Sequence, residues 1–538
     1  METSPERPSE RATSDRQPPD AQLGIRGVQT LAKLPNEEPL QDEHEEKDVA
    51  DLEAIHPIAS NRPSYSAFGI HQKRFIVFMA GIAGLSSTFS ANMYFPALNT
   101  LASELHVSDE LIDLTLTSYM IFQGLAPMIY GDLADMTGRR PAYILGFVIY
   151  TAANIGLALQ TNYAALFILR CLQSTGSSGT IALGYGVVAD VSSTAERGVY
   201  MSFMVSGTMI GTAFGPVLGG ILSQFLGWRS IFWFLVILTA AFLVPFLVAF
   251  PETGRHIVGN GSIPPQWWNV SVLSYLKTRT NNRSDLAAAQ NIEHPKLRWP
   301  NPLKVILMIM EKDVAIILIY NALVYTAYFC VLTSLPSLLA EIYDFNDLQI
   351  GLGFISYGAG CIVASLLCGR LIDIHYKRVA KANNITIDRK RGDDLRDFPI
   401  EKARFQVLSP FLAVGILALV AYGWVLQFEA PLAVTLVLLF ILSLCLVGAY
   451  DVMCIILVDL YPESPATATA ANNLVRCLLG AGGTAVVIPM INTMGRGWCF
   501  TFIAAILTLS SPILWIEVKW GPSWREERRV RVEGQKCK

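Results

Sequence analysis

The sequence predicts an all-α polytopic membrane protein with twelve transmembrane helices arranged in two pseudo-symmetric six-helix bundles. Hydrophobic residues make up 52% of the 538 residues and charged residues only 16%, whereas a soluble chain carries about 25% charged residues. The charges are concentrated between long apolar blocks, which is the pattern expected when lipid is the solvent for those blocks. The blocks also fall into two groups of six on either side of a long polar stretch.

Twelve segments are long enough to span a bilayer, which requires roughly 20 mostly apolar residues. The first six lie within a predicted N-terminal bundle, residues 73–250, and the last six within a C-terminal bundle, residues 314–516. Residues 251–313 are predicted to form a cytosolic central loop, and a second cytosolic loop covers 369–404. The predicted spans are 75–96, 111–130, 141–159, 163–189, 199–222, 231–250, 314–340, 348–368, 405–427, 431–458, 467–491 and 498–516.

Both termini are predicted to lie in the cytosol. Residues 1–72 are rich in Pro, Ser, Glu and Asp, which predicts a disordered tail, and residues 517–538 form a short C-terminal tail. With the N-terminus inside, Arg229 and Arg496 are external, Arg170 and Arg476 lie within spans, and every other Lys and Arg is cytosolic. Since basic residues favour the cytosolic side, this orientation is preferred over its inverse.

The two groups of six segments resemble each other weakly. Residues 131–135 read Gly-Asp-Leu-Ala-Asp after the second span, and residues 369–373 read Gly-Arg-Leu-Ile-Asp after the eighth. Asp190 closes the fourth span and Asp459 the tenth. An internal repeat of this kind is typical of transporters in which two halves rock around a substrate site in the middle of the membrane.

The short loop after the second span has the pattern G-D-x-x-D-x-x-G-R-R. Its glycines permit a tight turn, and its charges can pair across the cytosolic faces of the halves or cap a helix terminus. A generic basic loop is the plain alternative. The pattern resembles the cytosolic gating motif of the major facilitator superfamily, and the resemblance assigns gating to Gly131, Asp132, Asp135, Gly138, Arg139 and Arg140.

The fifth span carries glycines spaced by four, followed by Gly-Pro-x-x-Gly-Gly. The spacing of four lets another helix approach closely, and close packing alone would explain it. The added Gly-Pro-x-x-Gly-Gly is similar to the motif shared by proton-driven antiporters of the same superfamily. The resemblance therefore covers Gly207, Gly211, Gly215, Pro216, Gly219 and Gly220.

Three further stretches resemble the fungal twelve-spanner branch of drug–proton antiporters. They are the start of the central loop at 250–265, the end of the first span at 92–98, and residues 227–233. The resemblance spans 92–265 and continues weakly to Arg476. The branch includes quinidine-resistance-type exporters and citrate exporters, which implies proton-coupled efflux of drugs, toxins or metabolites by alternating access.

Charged residues inside the spans are the main candidates for the transport pathway. A charge in the bilayer costs at least about 2.5–3.5 kcal/mol and normally faces a cavity or a partner. Arg170-x-x-Gln173 resembles the family pattern Arg-x-x-Gln-Gly, with Ser174 in place of the glycine. Arg476 lies deep in the eleventh span. A purely structural role, with the guanidinium satisfied by carbonyls or by pairing between the halves, remains the alternative for each arginine.

The proton carrier is not evident from the first span, where many bacterial relatives hold an acidic residue. No Asp or Glu occurs between residues 75 and 96. Asp451 in the tenth span is the preferred candidate, and Asp113 is a poorer one near the external end of the second span. Asp451 can equally be a packing residue paired with a hydroxyl or an arginine.

Aromatic and amide side chains within the spans complete the predicted pathway. Such groups can line a polyspecific pocket, although ordinary helix packing explains any one of them equally well. The predicted residues are Asn92, Tyr94, Tyr119, Gln123, Asn321, Tyr325, Tyr450 and Asn472, with Tyr328 and Tyr357 as further members of the aromatic set.

Several functions are disfavoured by what the sequence lacks. It contains no HExxH, GxSxG or paired catalytic carboxylates, so we expect no enzyme activity, and no Walker A sequence, so we expect the proton gradient rather than ATP or a cofactor to supply energy. The nine cysteines show no metal-ligand spacing. No basic cluster suggests nucleic acid.

The expected partners are therefore a small organic substrate, protons and the lipid bilayer, and we expect a functional monomer. An exporter of organic acid anions such as citrate is the related alternative, because two arginines lie within the spans. A non-transporting nutrient sensor on the same fold is the alternative of another class. The plasma membrane is the preferred location, and the vacuolar membrane is the second possibility.

Overall fold

The computed structural model describes residues 66–536 with the exception of 193, 264, 281–302, 383–399 and 462–464. Most of the predicted N-terminal tail therefore lies outside the described residues. The same is true of the middle of the central loop and the middle of the 369–404 loop.

The described residues form helices and turns without strands. Short helices Phe95–Ala97 and Leu98–Leu105 follow the first long helix, and Arg255–Val258, Val272–Thr280 and Leu303–Ile309 lie in the central loop. The long helices, labelled in chain order, are α1 (Ile70–Asn92), α2 (Asp109–Thr137), α3 (Arg139–Leu159), α4 (Tyr163–Val191), α5 (Thr194–Leu226), α6 (Arg229–Ala249), α7 (Lys312–Tyr343), α8 (Asp347–Ala382), α9 (Ile400–Gln427), α10 (Leu432–Leu460), α11 (Pro465–Met494), α12 (Arg496–Ser510) and α13 (Pro512–Lys536).

Each of the first eleven predicted spans lies mainly on one of the helices α1 to α11, and the twelfth, 498–516, covers α12 and the first residues of α13, so the all-α membrane fold is confirmed. Ten helices in the described part of the chain are long and apolar enough to cross a membrane. The other two are α2 and α4, which do not meet that criterion of hydropathy and charge. A multi-pass membrane protein follows from this composition.

Several helices extend beyond the predicted spans. The 348–368 span belongs to α8, which continues to Ala382, and the span beginning at 405 belongs to α9, which begins at Ile400. The predicted C-terminal tail is helical in α13. A hydropathy criterion detects only the apolar part of a helix that lies in lipid, whereas the hydrogen-bonded helix itself continues beyond the lipid.

The two halves have the same helix packing. In the N-terminal half α1 packs on α5, α2 on α4, and α3 on both α4 and α6. The same pairs recur six helices later, with α7 on α11, α8 on α10, and α9 on both α10 and α12. The halves meet through α2 on α11 and α5 on α8, which are also related by the repeat.

The glycine motif of α5 brings this helix against α1. A Cβ atom at Gly211 would overlap the Thr88 side chain, and one at Gly219 would overlap the carbonyl oxygen of Met93. Gly220 lies instead against the backbone of Asp347 at the start of α8. The motif therefore sets the close approach of α5 to a helix of its own half and to a helix of the other half.

Helix α13 packs against the ends of the C-terminal half that are predicted to be cytosolic, through three arginines. Arg528 forms an ion pair with Asp313, which is only 3% exposed, and its guanidinium stacks 3.9 Å from the centre of the Tyr461 ring. Arg525 lies 3.4 Å from the buried carboxylate of Glu401, and Arg531 pairs with a glutamate just before α7. This helix thus ties α7 and α9 together.

Candidate functional site

Arg170 of α4 is fully buried and held between two aromatic rings. Its guanidinium carbon lies 4.0 Å from the centre of the Tyr94 ring and 4.3 Å from that of Tyr119. Its Nη1 donates to Gln173 Oε1 at 2.5 Å and to the carbonyl of Ser90 at 3.4 Å. Aromatic faces attract a desolvated cation, so the charge is stabilised without a carboxylate within 4.0 Å among the described residues.

A small cavity adjoins this arginine at the boundary between the halves. Its volume is about 20 Å³, enough for roughly one water molecule. Arg170 Nε and Nη2 are buried without a hydrogen-bond partner in the described structure, and so is Thr333 Oγ1 from the other half. The lining residues are Ala91, Phe95, Leu116, Tyr119, Met120, Gln123, Arg170, Phe329 and Thr333.

Arg476 of α11 has a similar environment in the C-terminal half. Its guanidinium carbon lies 4.7 Å from the centre of the Tyr325 ring and 5.7 Å from that of Tyr450. Its Nε and Nη2 donate to Asn473 Oδ1 at 3.1 and 2.5 Å. Asn473 Nδ2 in turn donates to the carbonyl of Gln123 at 2.8 Å, which joins the arginine to α2 of the other half.

Two predicted amides form a direct hydrogen bond beside this arginine. Asn321 Nδ2 donates to Asn472 Oδ1 at 2.8 Å, and the Cys454 sulfur lies 3.6 Å from Asn321 Nδ2. The rings of Tyr325 and Tyr328 pack next to these amides, and their centres are 5.0 Å apart. The structure thus brings together four helices, α2, α7, α10 and α11, at this point.

Asp451 of α10 pairs with a hydroxyl and not with an arginine. Its Oδ2 accepts a hydrogen bond from Ser365 Oγ of α8 at 3.0 Å. Within the described residues no arginine or lysine lies within 4.0 Å of this carboxylate. Tyr185 of α4 is close enough to interact electrostatically with both Asp451 and Arg476, so an N-terminal helix faces both charges.

The remaining pathway candidates have local partners. Asn92 Nδ2 donates to the carbonyl of Thr88 one turn earlier at 2.7 Å, within α1. The Tyr94 hydroxyl pairs with Thr115 Oγ1 at 2.9 Å. Gln173 Nε2 donates to Asn154 Oδ1 at 2.8 Å, which fixes the amide that holds Arg170. Asp113 is buried, with 6% of its surface exposed.

Within the described residues, Arg139 of the predicted gating motif forms ion pairs inside the N-terminal half. Arg139 Nη1 pairs with Asp135 at 2.9 Å, and its Nε pairs with Asp190 at the end of α4, also at 2.9 Å. Asp132 precedes Asp135 by one helical turn and is half-buried. The motif therefore ties together the end of α2, the start of α3 and the end of α4.

The C-terminal half repeats this ion pair. Arg404, near the start of α9, pairs with Asp459 at the end of α10, with 3.0 Å between guanidinium and carboxylate. Asp190 and Asp459, which occupy equivalent positions in the two halves of the sequence, thus each pair with an arginine. The repeat extends from helix packing to individual charges.

Glu252, just after α6, connects the central loop to the gating motif. Its Oε1 accepts from the backbone N–H of Arg139 at 2.8 Å, and its Oε2 from that of Arg140 at 3.1 Å. The Asn269 amide and the N–H groups of Thr253 and Gly254 also donate to this carboxylate. A carboxylate at a helix N-terminus satisfies donors that the helix itself leaves free.

Sequence reasoning missed four residues that the structure brings to these sites. Ser365 and Asn473 are neutral residues that hold predicted charges, Asn154 holds the amide of Gln173, and Tyr185 lies within electrostatic range of Asp451 and Arg476. Asn473 carries a sequence signal, because it precedes Arg476 by three residues and so shares its helix face. The other three act from a helix different from that of the residue they contact or influence.

The chain belongs to the Major Facilitator Superfamily, whose family model matches residues 80–484. Its relatives include the MFS-type transporter phiD of Fungal sp. (strain ATCC 74256), which is 42% identical over 88% of this chain and 73% of its own length. Citrate exporter 1 of Aspergillus niger is 37% identical over 89% of this chain and 91% of its own. The chain is therefore a transporter rather than an enzyme.

Solved structures support the same fold. The inward-open xylose transporter XylE from E. coli covers 83% of this chain and 97% of its own length, with a TM-score of 0.58 and 16% identity. The human organic anion transporter MFSD10 covers 82% of this chain and 99% of its own, with a TM-score of 0.52. At this identity the likeness concerns the fold alone.

Proposed function

We propose that this transporter exports small organic molecules in exchange for protons by alternating access of its two halves. The observation that carries the proposal is Asp451, a carboxylate held by the Ser365 hydroxyl and within electrostatic range of Tyr185 from the other half. A carboxylate without a cation can take up and release a proton. Arg476 lies in the same region, because its guanidinium carbon is 5.7 Å from the centre of the ring of Tyr450, the residue before Asp451.

The coupling is electrostatic. When Asp451 is ionised, its carboxylate can hold a hydrogen-bond donor or a positive group of the substrate; when it is protonated, that charge-assisted interaction is lost. Proton and substrate then compete for the same carboxylate, as exchange requires. No cofactor is needed, because the proton gradient supplies the free energy. We place the protein in the plasma membrane, with the vacuolar membrane as the second location.

A more specific candidate substrate is an organic acid anion. Arg170 and Arg476 lie without a carboxylate within 4.0 Å in the described part of the chain, and Arg170 has two unpartnered N–H positions beside the inter-half cavity. Guanidinium groups bind carboxylates through paired charge-assisted hydrogen bonds. The relative from Aspergillus niger is named a citrate exporter.

An accumulation assay in deleted and overexpressing cells tests both proposals. It compares tricarboxylate, neutral and cationic compounds with and without a protonophore. We expect overexpression to lower the accumulation of at least one compound and the protonophore to abolish the effect. Export that persists with the gradient collapsed would contradict proton coupling.

Arg476→Ala is expected to reduce export of anions by tenfold or more while affecting cations less, because a charged hydrogen-bond partner is worth about 1.5–3 kcal/mol. Arg229→Ala is the matched control, since Arg229 lies at the surface, where it pairs with Glu104 and is 41% exposed. Equal loss for anions and cations would indicate that Arg476 has a structural role only.

A further inference from the structure

Asp347, the first residue of α8, joins the two halves on the side predicted to be external. Its carboxylate accepts hydrogen bonds from Thr100 Oγ1 at 2.9 and 2.8 Å and from Ser223 Oγ. Thr100 belongs to the short helix Leu98–Leu105, and Ser223 to α5, so both donors come from the N-terminal half. The acceptor comes from the C-terminal half.

The surrounding contacts make this cluster part of a closed external gate. Asn99 Nδ2 donates to the carbonyl of Pro336 at 3.2 Å, and the rings of Phe95 and Phe354 stack with centres 5.8 Å apart. Each of these contacts also crosses between the halves. Phe95 lines the cavity beside Arg170 as well, so the gate borders that cavity.

The chemistry of Asp347 differs from that of an ordinary ion pair. Only 8% of the residue is exposed, and within the described residues no Lys, Arg or His lies within 4.0 Å of its carboxylate. Two hydroxyl donors therefore hold a charge that burial disfavours. Hydrogen bonds to an ionised acceptor are about twice as strong as neutral ones, so the closed position depends on both hydroxyls.

We propose that the Asp347 carboxylate, through its hydrogen bonds from the Thr100 and Ser223 hydroxyls, is the latch that holds the external gate closed. This rests on the proposed function only in that the halves alternate. Opening separates α8 from α5 and from the Leu98–Leu105 helix and returns the carboxylate to water. The hydration regained then offsets the hydrogen bonds lost, which makes the latch reversible.

The test is the external accessibility of a thiol placed under the gate. Thr333→Cys puts a reporter in the cavity, and a membrane-impermeant maleimide is added to intact cells. Mass spectrometry of the peptide that contains position 333 separates its labelling from that of the native cysteines. No substrate or proton gradient is needed, so the result does not depend on the substrate or on proton coupling.

We expect Thr100→Val and Ser223→Ala, each combined with the reporter, to raise the external labelling rate about tenfold, because each removes one charge-assisted hydrogen bond. Asp347→Asn should do the same, since it removes the charge. The matched control is Asp344→Asn, three residues earlier at an exposed position. In inside-out vesicles the labelling rate should fall in the three latch variants.

Unchanged external labelling in the threonine and serine variants would overturn the latch. A rise of equal size from both sides of the membrane would also overturn it, since it would indicate a loosened fold rather than an opened gate. If Asp347→Asn does not reach the membrane, the two hydroxyl variants decide the matter. Failure of proton coupling in the accumulation assay would leave the labelling result untouched.

Discussion

Several charged residues inside this protein are stabilised by neutral partners rather than by counter-ions. Arg170 is held by two tyrosine rings and a glutamine, and Asp451 by a serine hydroxyl. Glu252 accepts from four backbone N–H groups and one asparagine. Neutral partners leave the charge available to a ligand or a proton, whereas a counter-ion would cancel it.

Glu252→Gln tests how much one such carboxylate contributes to the stability of the protein. The amide keeps the shape but replaces an acceptor oxygen by a donor and removes the charge, so two or more hydrogen bonds weaken. We expect a loss of about 2 kcal/mol in stability, measured as a lower melting temperature in detergent.

Glu526→Gln is its control, because Glu526 forms an exposed pair with Arg529 within one helix. Such pairs contribute little. Equal melting temperatures for the two variants would contradict the cap at the start of α3.

The arginines within the spans were predictable from the sequence because a charge within an apolar span is recognisable by its cost. The neutral residues around the predicted sites were not. Asn154 meets Gln173 only when α3 packs on α4, and Ser365 meets Asp451, 86 residues later in the chain, only when α8 packs on α10. The sequence motif of the central loop was recognisable, but the contact between Glu252 and the start of α3 spans 113 residues of chain.

At the scale of helices, the glycines of α5 set the spacing between α5 and α1. Gly219→Ala should push the two helices apart, because the added methyl would overlap the carbonyl oxygen of Met93. Overpacking of this kind costs about 1–3 kcal/mol. We expect a lower melting temperature and slower transport.

Gly482→Ala in α11 is the matched control, since nothing lies within 4 Å of the position its Cβ would take. It should leave both properties unchanged or slightly improved, because alanine favours helix. Similar behaviour of the two variants would indicate that α5 and α1 can separate at little cost.

Apolar length located the twelve membrane helices but not the helices outside the lipid. Leu98–Leu105 and α13 both lie where a loop or tail was expected. Their sequences contain too many polar residues for a hydropathy criterion. Their stability comes from contacts with the bundle, such as that of Arg528 with Asp313, which no local pattern indicates.

For the whole molecule, the repeat of helix pairs and of the Arg139–Asp190 and Arg404–Asp459 ion pairs supports movement of each half as a unit. Coupling between proton and substrate then depends on side chains that lie where the two halves meet.

Asp451→Asn fixes position 451 in a neutral form, so we expect transport to lose most of its dependence on external pH while protein abundance is retained. Initial transport rates across a pH series measure this.

Asp344→Asn is again a suitable control, because it removes a carboxylate from an exposed turn. It should retain the pH profile of the unmodified protein. An unaltered profile in the Asp451 variant would move the proton site elsewhere, with the transporter assignment intact.

The position of α13 has a consequence for biogenesis. Asp313 and Glu401 are almost completely buried, and the cations that lie against them belong to α13, which is synthesised after both of them. Since chains fold from the N-terminus during synthesis, these carboxylates lack Arg528 and Arg525 until α13 has been made. A chain interrupted before α13 leaves both carboxylates uncompensated, so we expect its C-terminal half to be less stable than that of a chain that contains α13.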